Sequence, residues 1–114
     1  MNINNKREAI DLFINSSIEN VKLFGGENHK LSNKHYKLMK IAYNYLMEND
    51  DINELNLLLD FPNYGVQLWA ASFLGKTNMP KVETVLKKII EMKIPHISLS
   101  AEYTLQELNE DAGI

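Results

Sequence analysis

A chain of 114 residues, 45% of them hydrophobic, has the size of one domain and enough apolar side chains for a packed core. The net charge of −3 argues against a dedicated nucleic-acid-binding protein, because such proteins are usually basic. The lack of cysteine excludes disulfides and thiolate metal sites, and five Gly and three Pro are too few for an all-β fold. No apolar run reaches the roughly 20 residues that span a bilayer, and no secretory signal begins the chain, so we expect a cytoplasmic protein.

Apolar residues at helical spacing predict a pair of helices in the first part of the chain, at about 4–48. The first helix is predicted to run from about Asn4 to Phe24, where Gly25 and Gly26 stop the apolar pattern. Ser32 or Asn33 is predicted to cap the second helix, which ends near Glu48. The predicted apolar stripe of the first helix consists of Ile10, Phe13, Ile14, Ile18 and Val21.

A second helix pair is predicted at about 51–75. Asp51 and Glu54 have the spacing of a capping box, which predicts the start of a short helix. Asn63 follows a turn and is the expected N-cap of the next helix, whose residues are apolar nearly all round. A helix of that kind packs between other elements, and Gly75 is expected to end it.

The apolar pattern of this central helix returns in a third predicted pair, at about 78–108. The equivalent residues are Val66 and Ile97, Leu68 and Leu99, Ala70 and Ala101, and Leu74 and Leu105. Because matching helix pairs stack in repeat proteins, we predict one all-α domain over residues 1–114. Its expected architecture is a compact HEAT- or armadillo-like stack of about three antiparallel helix pairs, and an irregular helical bundle is the alternative.

Two short stretches carry a resemblance to a known family. Residues 66–71, VQLWAA, and residues 101–107, AEYTLQE, resemble the recurring signature V-x-L-W-A-A and A-x-x-x-L-x-E of a small bacterial family catalogued as domain of unknown function 2019. The resemblance covers about residues 50–108. It implies a compact HEAT-like helical domain in settings like those of immunity proteins for polymorphic toxins, and it implies no catalytic residues.

The residues that could support catalysis or metal binding lack the necessary spacing. His29, His35 and His96 do not have the spacing of zinc ligands, and no cysteine is present. No nucleophile elbow, phosphate-binding loop or dinucleotide-binding glycine motif occurs. Glu107 and Asp111 lie one helical turn apart, a spacing more typical of a solvated face than of an acid–base pair. We therefore expect no enzymatic activity, no metal and no cofactor.

Charged residues are grouped along the chain. Basic residues cluster on the second predicted helix at Lys30, Lys34, Lys37 and Lys40. Acidic residues follow without intervening Lys or Arg, at Glu48, Asp50, Asp51, Glu54 and Asp60, and again at Glu102, Glu107, Glu110 and Asp111. Stacked helix pairs would bring both acidic groups to one edge, where they would complement a basic protein. Ordinary solvated faces and helix caps are the alternative interpretation, and the lysines predict a soluble surface rather than a nucleic-acid site.

These observations predict a non-enzymatic module that binds another protein. The most concrete form of the prediction is an immunity protein that binds and neutralises a bacterial toxin, for example a basic nuclease. The predicted contact residues are Asp50, Asp51, Glu54, Asp60, Tyr64 and Glu102, with Tyr64 as an aromatic anchor on a turn. A structural or regulatory scaffold is the first alternative, and a HEAT-like nucleic-acid-binding or repair protein is the second.

Overall fold

Residues 2–112, the part of the chain that the computed structural model describes, fold into six α-helices and no β-strand, which confirms the all-α prediction. The helices are α1 (Lys6–Val21), α2 (His29–Glu48), α3 (Asn53–Leu58), α4 (Tyr64–Leu74), α5 (Met79–Glu91) and α6 (Ile97–Ala112). A short 3-10 turn at Gly75–Asn78 joins α4 to α5. Helix α6 ends at Ala112, beyond the end that was predicted near residue 108.

Local capping chemistry sets both ends of α4 as predicted. The Asn63 side chain accepts a hydrogen bond from the backbone N–H of Val66 at 3.1 Å, which satisfies one of the free donors of the first turn. Gly75 closes the helix with a φ of 50°, a left-handed conformation that glycine adopts without steric cost. Both predictions are confirmed because each depends on one residue type and its immediate neighbours.

Two other predicted caps are wrong. Asn28, rather than Ser32 or Asn33, caps α2, and its side chain accepts a hydrogen bond from the backbone N–H of Leu31 at 3.1 Å. Asn28 precedes both predicted caps in the sequence, so α2 begins several residues earlier than expected. Asp51 and Glu54 form no capping box, because α3 starts without a side-chain cap and the Glu54 carboxylate points to a lysine on α1.

The buried face of α1 differs from the predicted apolar stripe. Its fully buried residues are Ala9, Phe13, Ser16, Ser17 and Asn20, and the isoleucines of the stripe lie at its half-buried flanks. Ser17 and Asn20 can occupy this face because their side chains form hydrogen bonds within the fold. The Ser17 hydroxyl, for example, donates to the backbone carbonyl of Phe13 at 2.7 Å.

The central helix α4 packs between the other elements. The helices form the contacting pairs α1–α2, α3–α4 and α5–α6, and α4 also contacts α1, α5 and α6. Aromatic rings join the first pair to α4, since Phe13 and Tyr43 lie 5.6 Å and 4.9 Å from the Phe73 ring centroid. The nearly all-apolar sequence of α4 follows from this position, because almost every side of the helix is covered.

The sequence similarity between α4 and α6 is matched by burial only in part. Ala101 and Leu105 are buried in α6, as Ala70 and Leu74 are in α4. Leu99, however, is 50% exposed, although its equivalent in α4, Leu68, is 1% exposed. The helix α6 packs against α5 and α4, and Leu99 lies on a side of α6 that borders an open recess beside the α1–α2 connection.

Candidate protein-interaction surfaces

The connection between α2 and α3 carries two of the predicted contact residues, and a third lies on the first turn of α3. Asp50 is exposed and adopts a left-handed conformation with a φ of 56°, which aspartate tolerates better than most residues. Asp51 is half-buried, and its backbone N–H donates to the carbonyl of Leu46 at 2.8 Å. Glu54 follows on the first turn of α3. The tight reversal of the chain therefore brings Asp50 and Asp51 to one corner of the molecule.

Two predicted contact carboxylates already have lysine partners within the chain. Glu54 forms an ion pair of 3.2 Å with Lys6 of α1, and Asp60 forms one of 2.6 Å with Lys81 of α5. Both pairs are partly exposed, so each contributes on the order of 0–1 kcal/mol to stability. The acidic run in the sequence is therefore partly neutralised in the fold by lysines from distant segments.

Asp60 and Tyr64 meet in a recess at the turn between α3 and α4. Its lining residues are Asp60, Pro62, Asn63, Tyr64, Gln67 and Lys88. The Tyr64 side chain is 37% exposed, so its ring is available to a partner while part of it rests on the protein. Gln67 stiffens the turn, since its side-chain amide donates to the carbonyl of Phe61 at 2.7 Å. We call this feature the α3–α4 recess.

Glu102 lies apart from the α3–α4 recess. It is exposed on α6 and lines a depression whose other residues are Ile90, Leu105, Gln106, Asn109 and Glu110. The two recesses share no residue. The structure thus brings Asp60 and Tyr64 together, and it places Glu102 on a different surface.

A further recess contains residues that the sequence interpretation did not select. It lies where the α1–α2 connection meets the start of α6 and is lined by Phe24, Gly25, His29, His96, Leu99 and Tyr103, among others. His96 has a φ of 63° and its ring packs over Gly25, where a Cβ atom would clash with the imidazole. Leu99 and Tyr103 are exposed one turn apart on α6. In the sequence, Gly25 indicated only a helix stop, and His29 and His96 were noted only as lacking the spacing of zinc ligands.

The pKa of Lys87 is shifted by a neighbour on the same helix. The Glu83 carboxylate accepts a hydrogen bond from Lys87 on the next turn of α5 and raises the pKa of that lysine above its ordinary value of 10.5. Among residues 2–110, whose side chains the structure describes, no group of three or more His, Asp or Glu side chains is placed to hold a metal ion. Every buried side-chain N or O atom in this part of the chain has a hydrogen-bond partner.

Comparison with known proteins identifies the fold without a function. No protein-family model and no curated protein matches this chain. Among solved structures, the crystal structure of the protein RPA1889 from Rhodopseudomonas palustris CGA009 is similar, with a TM-score of 0.81 and 21% sequence identity. The similarity covers 93% of this chain and 89% of that one, and at this identity it shows the fold alone. No helix in the described part of the chain is long and apolar enough to cross a lipid bilayer.

Proposed function

We propose that this protein is a non-enzymatic protein-binding module, and specifically a cytoplasmic immunity protein that binds and neutralises a basic bacterial toxin such as a nuclease. The observation that carries the proposal is the α3–α4 recess, where the Asp60 carboxylate and the partly exposed Tyr64 ring face the same space. Tyrosine is enriched among the residues that dominate binding energy, and carboxylates orient a basic partner. The stacked helix pairs, interpreted as HEAT-like, and the resemblance of residues 66–71 and 101–107 to immunity-type domains support the same function.

In this proposal the ion pair of Asp60 is exchanged during binding. Lys81 holds the Asp60 carboxylate in the free protein, and a lysine or arginine of the toxin takes its place in the complex. The exchange costs little because an exposed ion pair contributes little stability. Asp50 and Asp51 on the neighbouring connection supply the negative field that steers the toxin as it approaches.

Recovery of the bound chain from the native host tests the function. The tagged full-length protein is purified from that host, the chain bound to it is identified, and that chain is then expressed alone in a heterologous bacterium. We expect the captured chain to stop growth when expressed alone and growth to return when this protein is expressed with it. A captured chain that is harmless when expressed alone would favour the scaffold function instead.

Neutralising the acidic residues should slow association with the captured toxin. We expect the triple substitution Asp50→Asn, Asp51→Asn and Asp60→Asn to lower the association rate constant about 10-fold at low salt, because steering by opposite charges is lost. The difference from the wild type should shrink as salt is added, since mobile ions screen exposed charges. Stopped-flow kinetics at several salt concentrations measure both effects.

The control for this experiment removes the same total charge from other surfaces. The substitutions Glu19→Gln, Glu27→Gln and Glu91→Gln lie on exposed positions outside the α3–α4 recess. Their association rate constant should stay within about twofold of the wild type, because steering depends on where the charges lie. Equal slowing by both triple variants would show that only net charge matters and would contradict the proposed contact surface.

A further inference from the structure

The outward face of α2 carries an apolar stripe at heptad spacing. Leu31, Leu38 and Tyr45 recur every seventh residue, and Ile41 lies between the last two at the spacing of a coiled-coil seam. Leu31 and Leu38 are half-buried and Ile41 is 39% exposed, yet none of the three packs against the hydrophobic core. The fold of this chain therefore does not account for these side chains, although it does account for Tyr45, which packs against the core.

Lysines accompany the leucines of this stripe. Lys30, Lys34 and Lys37 line a single recess of about 620 Å³ together with Leu31 and Leu38. In the described part of the chain no carboxylate forms an ion pair with any of these lysines or with Lys40, whereas Lys6, Lys22, Lys81 and Lys87 are all paired. The recess thus combines an apolar floor with positive charges that the fold leaves uncompensated.

The same face continues along the second half of α2. A second recess is lined by Ile41 and Tyr45 on α2 and by Ile3 of the N-terminal segment. The two recesses follow one another along a helix of 20 residues, which corresponds to a length of about 30 Å. This face of α2 is therefore long enough for a partner helix of several turns. Glu48, the only carboxylate in the α2 sequence, lies at the far end of the face.

We propose that this face of α2 is a second docking surface, which binds an amphipathic helix with acidic flanks from a partner protein. Heptad-spaced apolar residues pack against the apolar stripe of another helix, and flanking charges of opposite sign select the partner. The lysines match acidic flanks because no carboxylate among the described residues forms an ion pair with them. A nucleic acid fits less well, since Leu31 and Leu38 lie between the lysines and offer nothing to a phosphate backbone. The surface shares no residue with the α3–α4 recess, so it is independent of the toxin-binding proposal.

Binding of a designed peptide tests this surface on the full-length protein. The probe is a fluorescently labelled helical peptide of about three heptads, with leucine at the seam positions and glutamate at the flanking positions. We expect the wild type to bind the peptide in fluorescence anisotropy. The double substitution Lys30→Glu and Lys37→Glu should weaken binding at least about 10-fold, because two attractive charges become repulsive ones.

A second variant and a matched control separate this contact from general charge attraction. Leu38→Ser removes an apolar contact without changing charge and should also weaken peptide binding. The control Lys87→Glu and Lys93→Glu changes net charge by the same amount on exposed positions of α5 and the turn that follows it, and it should bind the peptide like the wild type. Equal weakening by the two double variants would overturn the proposal, and so would wild-type affinity in Leu38→Ser.

The same assay distinguishes an acidic helix from nucleic acid and from a membrane surface as the ligand of this face. Labelled duplex DNA and vesicles that contain phosphatidylserine are titrated with the wild type and with the Lys30→Glu, Lys37→Glu variant. The proposal predicts no lysine-dependent binding of either at physiological salt. Lysine-dependent binding of DNA or vesicles, or no measurable binding of the acidic peptide, would overturn it.

Discussion

The substitution Phe13→Ala is expected to lower the free energy of unfolding by about 3–5 kcal/mol. Phe13 is fully buried on α1, and its ring meets Phe73 of α4 edge-on at 5.6 Å between centroids. Truncation removes apolar surface from the core, leaves a cavity and breaks the ring contact that joins α1 to α4. Urea denaturation followed by circular dichroism measures the loss as a lower midpoint at an unchanged slope.

An exposed aromatic residue supplies the control for this prediction. Tyr103 lies on the surface of α6, so Tyr103→Ala should change the free energy of unfolding by no more than about 0.5 kcal/mol. A loss of less than about 1 kcal/mol for Phe13→Ala would contradict the central position of this ring between α1 and α4.

The sequence predicted the features of the fold that depend on few neighbouring residues. Helix-forming patterns, the cap at Asn63 and the glycine end at Gly75 were all confirmed, because each follows from backbone chemistry within one or two turns. The same reasoning failed at the start of α2, where Asn28 competed with Ser32 for the role of cap. Several residues in that stretch can cap a helix, and only the folded chain selects one.

The surroundings of the predicted contact residues could not be predicted, because charges that are neighbours in the sequence are not always neighbours in the fold. The acidic run has no basic neighbours in the sequence. In the fold, however, Lys6 of α1 pairs with Glu54, and Lys81 of α5 pairs with Asp60. The exposure of Leu99 could not be read from its similarity to Leu68 either. Burial at that position depends on which segments pack against α6, which is a property of the assembled fold.

Asn20 is the residue whose role was least visible in the sequence, and its replacement by alanine should destabilise the protein by about 2–4 kcal/mol. Asn20 is 3% exposed, and its amide nitrogen donates to the backbone carbonyl of Ser32 at 3.0 Å. Its amide oxygen accepts from the indole N–H of Trp69, also at 3.0 Å. One side chain thus connects α1, α2 and α4, and Asn20→Ala removes the bond to Ser32 and leaves the Trp69 indole N–H without its partner. Urea denaturation measures the loss, and Asn15→Ala on the exposed side of α1 is the control.

A double-mutant cycle isolates the bond between Asn20 and Trp69 from the rest of this effect. Trp69→Phe keeps an aromatic ring against Tyr36 but removes the N–H group that Asn20 accepts from. If the bond stabilises the fold, Asn20→Ala and Trp69→Phe together should cost about 1 kcal/mol less than the sum of the two separate losses. Strict additivity would mean that Asn20 stabilises the protein through Ser32 alone, and that the chain's single tryptophan is held by packing.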